Sequence, residues 1–164
     1  MLIGGFIIQG AAPKQVVVRA RGPSLVPFGI ANAIANPRLD LYSGQTVIAS
    51  NDDWGGAANA AALQATGFAP TSAQEAGILT TLAPGAYTAI VSGVGNTTGV
   101  GIVEVFEVNV PDSPLANIST RGQVLNGNDV MIGGFVIQGQ SPQTVQVLSL
   151  IHISEPTRRT PISY

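Results

Sequence analysis

Cysteine is absent from this 164-residue chain, which excludes disulfides, thiolate nucleophiles and Cys-ligated zinc or iron-sulfur centres together. Charge is scarce as well: Asp, Glu, Lys and Arg make up 10% of the residues, against roughly 25% in an average soluble protein. Seven Lys and Arg stand against nine Asp and Glu, for a net charge of -2. No basic run occurs, so the electrostatic footprint of phosphate-backbone binding is missing and no nucleic-acid partner is expected. The lone histidine, His152, leaves a Ser-His-Asp arrangement with a single candidate base. No apolar stretch approaches the roughly 20 residues of a membrane helix, so no membrane insertion is expected. The first ten residues lack a basic segment and a small-residue cleavage site, so no export signal is expected within these residues.

What is present is apolar material and turn formers: 45% hydrophobic residues, 20 Gly and 11 Pro, the mixture of short strands joined by tight turns around one core. Apolar runs rich in Val, Ile and Tyr, bounded by Gly, Pro, Asn or Asp, recur about every ten to fifteen residues, the spacing of a β-sandwich. They predict strands at Ile3–Gln9, Gln15–Arg21, Arg38–Tyr42, Thr46–Ser50, Gly77–Leu82, Gly85–Val94, Val100–Val108, Ile118–Gln123, Val130–Gln138 and Thr144–Leu150. Apolar residues fall on both faces of Tyr87–Val91 and Ile102–Glu107, which predicts central, covered strands. The Ala-rich stretch Ala57–Ala65 is the one helical candidate. The expected fold is therefore all-β, an antiparallel sandwich of jelly-roll type, with at most one short helix near 57–65.

The chain also repeats itself. IGGFIIQGAAPKQVVV (Ile3 to Val18) recurs as IGGFVIQGQSPQTVQV (Ile132 to Val147), the signature of a tandem array cut partway into its next unit. Met1 aligns with Val130, which suggests a start chosen inside a longer reading frame. PDSP (Pro111 to Pro114) interrupts pairing and marks a linker. The organisation expected is a sandwich module over 1–110, a linker over 111–114 and the opening strands of the next repeat over 115–147. That last segment is expected to fold back and fill the place of the opening strand missing from the first module, because an unpaired β edge is sticky. From Leu148 the match stops, and SLIHISEPTR resembles the translation of sequencing-adapter DNA. The alternative for that tail is a divergent natural strand, since LSLIHI alternates well enough.

Taken together, LANISTRG, IGGFIIQG, RARGPSL, NPRLDLY, ASNDDWG and LAPGAYTAIVSGVGNTTGVGIVEVFEV resemble a repeat of large secreted proteins of environmental bacteria, over nearly all of the chain up to Val147. Leu39 to Val94 is also similar, more loosely, to bacterial pre-peptidase C-terminal and collagen-binding jelly-roll domains. The resemblance implies an extracellular or cell-surface location, neighbouring repeats of the same protein as partners, and surface attachment or spacing in place of turnover. Calcium occurs in some of those domains.

The polar cluster Asn51-Asp52-Asp53 admits two readings: hard oxygen ligands for calcium, with Glu75, Asp40 and backbone carbonyls as additions, or ordinary turn chemistry at a strand end. Asp52 and Asp53 do not suit a glycosidase pair, since neighbours in extended chain point apart while the two carboxyls must face one sugar. Glu104 and Glu107 fall on opposite faces of one strand. GVGNTTGVG (Gly93 to Gly101) lacks the Lys and helix of a phosphate loop and reads as a hairpin turn. Arg19 and Arg21 share a strand face, where they pair with Asp40 or Glu104 or contact an anionic glycan. Trp54, near Phe68, is either a sugar-stacking platform or a cap on the sandwich end. The function expected is a non-catalytic structural or adhesive module, with no cofactor unless calcium. The alternative is a carbohydrate- or protein-binding accessory module of a secreted hydrolase.

Overall fold

Alternation builds the strands. In Leu2–Ile8 (β1), Gly4, Phe6 and Ile8 are buried while the residues between them are half-buried. In Pro37–Ser43 (β3), Pro37, Leu39 and Leu41 are buried while Arg38, Asp40 and Tyr42 face outward. This period of two places one face of each strand in the core. The computed structural model describes residues 1–108, 117–121, 132–134, 142 and 144–147. The chain divides into two compact units, Met1–Gly133 and Gly134–Tyr164, and every strand described lies in the first.

Lys14–Arg21 forms β2, Thr46–Asn51 β4, Ala76–Leu82 β5, Gly85–Gly93 β6, Ile102–Val108 β7 and Asn117–Arg121 β8, with one short α-helix, Ala60–Ala65 (α1). They make an antiparallel sandwich: a five-stranded sheet in the order β4-β3-β6-β1-β8 faces a three-stranded sheet in the order β5-β2-β7. Between the described strands, only β3 to β4 is a hairpin within one sheet; every other connection crosses to the opposite sheet. The core between the sheets holds Phe6, Ile8, Leu39, Leu41, Ala89 and Val91 from one side and Val16, Val18, Ala20, Ala76, Ile78 and Leu82 from the other. Phe6 stacks on Tyr87, its cross-strand partner, with ring centroids 5.7 Å apart.

Three expectations need correction. β6 is central as predicted, but among the described strands β7 lies at an edge: β2 has β5 on one side and β7 on the other, and Ile102 is exposed. The apolar residue on the outer face of β7 is covered from elsewhere, since Phe68 stacks on Phe106 at 4.5 Å. Residues 93–101 link the two sheets and do not close a hairpin, turning through Gly95 and Asn96 at positive φ. After β2, Pro23–Phe28 is wound into a 3-10 helix ending on Gly29. Within the last two predicted strands, 132–134 and 144–147 form no strand, and the rest lies outside the described residues, as do the linker 111–114 and the tail with His152. Among the described residues no helix is long and apolar enough to cross a membrane.

Candidate functional site

The polar residues singled out in the sequence gather at the end of the sandwich where β4 crosses over to β5, against the loop that follows β2. Asn51 is the last residue of β4. Its Oδ1 accepts the Gly77 N–H of β5 at 2.9 Å, and its Nδ2 donates to the Asp53 carbonyl at 3.3 Å. One amide side chain thus ties the edge of one sheet to the edge of the other.

Trp54 continues the same seam. Its backbone N–H donates to the Glu75 carbonyl at 3.0 Å and its indole Nε1–H to the Ser72 carbonyl at 3.1 Å. The ring is half-buried, with its polar edge satisfied inside the fold, as a buried indole requires.

Glu75 is fully buried. Its Oε1 accepts the Gly22 and Ser24 N–H groups at 2.9 Å each, and Oε2 accepts the Ser72 N–H at 3.5 Å. The Gly22 and Ser24 amides open the 3-10 turn, where no helical partner exists for them. A carboxylate satisfies several such donors at once. Gly22 is required by close approach: a Cβ there would run into the Ile34 carbonyl.

This geometry separates the oxygens that a calcium site would need. Asn51 Oδ1 faces an N–H, Glu75 faces three, and Asp40 accepts from Arg38 and Ser50 on the outer face of β3. Asp52 is half-buried, within Coulombic reach of Arg38, and Asp53 is exposed. Among the described residues no three His, Cys, Asp or Glu side chains converge. The structure therefore brings Asn51 and Trp54 together with Glu75 in one network, and it sets Asp40 apart from them.

The remaining charges bridge strands. Arg19 Nε meets Glu104 Oε2 at 2.7 Å, its Nη1 donates to the Phe68 carbonyl at 2.7 Å, and its guanidinium lies 4.6 Å from the centre of the Phe106 ring. Arg21 lies 4.0 Å from the same Glu104 oxygen and donates to Ser24 Oγ. Glu104 is thus the partner of Arg19, as expected, while Asp40 pairs with Arg38 instead. Glu107 pairs with Lys14. Between β4 and β5 lies a shallow groove of about 190 Å³, bordered by Ser50, Asn51, Asn59 and Thr80. Trp54, Asp52 and Asp53 do not line it.

No family model, curated protein or solved structure matches the chain. Sequence reasoning named Glu75 only as a spare ligand and passed over Asn59, whose Nδ2 caps the Leu79 carbonyl on the outer edge of β5 at 3.0 Å. The one available signal was the acid itself: in a chain so poor in charge, Glu75 sits directly before a strand of apolar and small residues, where a solvated role is hard to arrange.

Proposed function

We propose that this chain is a non-catalytic structural module of a tandem-repeat protein, extracellular or at the cell surface, whose partners are neighbouring repeats. The observation that carries the reading is the network of Asn51, Trp54 and Glu75. The residue types that would serve a ligand are instead bonded to backbone groups: Asn51 of the five-stranded sheet holds Gly77 of the three-stranded sheet, and Trp54 and Glu75 hold the loops beside it. The pairs Arg19–Glu104 and Lys14–Glu107 likewise tie β2 to β7 within the smaller sheet. The sequence repeat supplies the partner, a further copy of the same module, and its resemblance to repeats of secreted proteins supplies the location.

The test is direct. The purified chain is offered a panel of glycosidase, esterase and peptidase substrates and a glycan array, beside Trp54→Ala. No turnover and no glycan signal are expected. Turnover would overturn the reading, and a glycan signal lost in Trp54→Ala would replace it with that of a carbohydrate-binding accessory module.

A further inference from the structure

The strand Asn117–Arg121 lies in the segment that the sequence repeat assigns to the opening of the second copy, upstream of its Ile132-Gly133-Gly134. In the fold it is seated elsewhere. It runs antiparallel along the outer edge of β1, in register from Ile3 opposite Arg121 to Ile7 opposite Asn117, and completes the five-stranded sheet. Without it, β1 would be the sheet edge, with a bare row of backbone donors and acceptors. Resting on the tandem-repeat reading above, we propose that the edge of β1 is an acceptor for the opening strand of the following repeat, so that consecutive modules are joined by a shared strand.

Two further observations support this. The equivalent residues of the two copies have opposite surroundings: Val16 and Val18 are 0% exposed, whereas their counterparts Val145 and Val147 are 50% and 76% exposed. Ile132, the counterpart of Ile3, is 83% exposed. At these described positions the aliphatic residues are thus buried in the first copy and exposed in the second. The seat on β1 is also a close fit, because a Cβ placed on Gly5 would lie 3.6 Å from Ser119 Cβ in ordinary contact, with nothing nearer. Gly134, the counterpart of Gly5, has nothing within 4 Å. The sequence repeat thus offers the opening strand two chemically alike segments, and its described register is on β1.

A chain without cysteine allows a clean test. The 3.6 Å Cβ separation falls inside the range for an unstrained disulfide, roughly 3.5–4.5 Å. Full-length Gly5→Cys/Ser119→Cys and Ser119→Cys/Gly134→Cys are each treated with oxidised glutathione, and free thiols and chain mass are measured. The first pair is expected to lose its thiols and the second to keep them. Linkage of the first pair between two chains is the same edge filled by a second copy and also supports the proposal. Linkage of the second pair, alone or beside the first, or no linkage of the first, overturns it. Hydrogen exchange on the unaltered protein guards against variants that misfold: amides of Ile3–Ile7 and Asn117–Arg121 should exchange slowly and those of 132–134 freely, and the reverse pattern overturns the proposal. Turnover or glycan binding would defeat the proposed function yet leave these cross-links unchanged, so the two failures are distinguishable.

Discussion

At Glu75 one carboxylate faces three backbone N–H groups in a place closed to water. Removing it leaves buried donors without partners, which costs more than any contact it makes by packing. Glu75→Ala is therefore expected to lower stability by about 3 kcal/mol, while Glu75→Gln, which keeps one acceptor oxygen, costs about 1 kcal/mol. Urea midpoints at unchanged slope would show the difference. Asp40 offers a second test at this scale. Burial alone would raise its carboxyl, but hydrogen bonds from Arg38 and Ser50, with the Arg38 charge, outweigh it and hold the group below its ordinary 3.8. A carboxyl held lower in the folded than in the unfolded chain adds stability above its unfolded value, and that stability is lost as pH falls through the folded one. Asp40→Asn should accordingly match the parent protein toward low pH and fall below it above about pH 4, in urea titrations across that range.

Between residue and molecule stands the crossover from β4 to β5. Alanine favours helix at Ala60–Ala65, but six residues are too few to hold a helix by propensity. Leu63, 0% exposed, anchors it. Its Cδ2 occupies the notch left by Gly77, where a Cβ would come within 2.9 Å, with Pro70 and Trp54 at 3.2 Å. A side chain at position 77 and the Leu63 side chain thus exclude one another, and the glycine decides in favour of the helix. Leu63→Ala should cost about 2–5 kcal/mol, and the loss should extend to the Trp54–Ser72 bond, seen as a red shift of the lone tryptophan's emission. The same crossover stacks Phe68 on Phe106 and brings its carbonyl to the Arg19 guanidinium, which covers the outer face of the smaller sheet, where Val17, opposite Phe106, is fully buried.

For the molecule as a whole, β1 and β8 set the mechanics. They are antiparallel neighbours with Ile3 opposite Arg121, so the strand that enters the module and the strand that leaves it meet at one place. Force applied between Met1 and Arg121 opens that ladder one hydrogen bond at a time, whereas force between Ile8 and Arg121 loads all of it together. Single-molecule pulling should find the first geometry weaker than the second, and equal forces would mean that β8 is not seated on β1. Much of this architecture was legible beforehand. Residues two apart in LIGGFII and RLDLY share a face in any extended chain, so strand positions, the sandwich class and the place of the short helix follow from local pattern and from Gly, Pro and Asn between the runs. Neighbours across sheets are another matter. Glu75 meets Gly22 and Ser24 across more than fifty residues, and Phe106 reads as a sign of a central strand although it is covered by a loop. The amino-acid order alone determined where the chain extends, where it turns and which faces are apolar, because those depend on dihedral preference and a period of two. Only the tertiary structure decided that β7 lies at an edge among the described strands and that Asn51 and Glu75 hold backbone groups. Each of those outcomes depends on which distant groups remain unpaired once the two sheets close on each other.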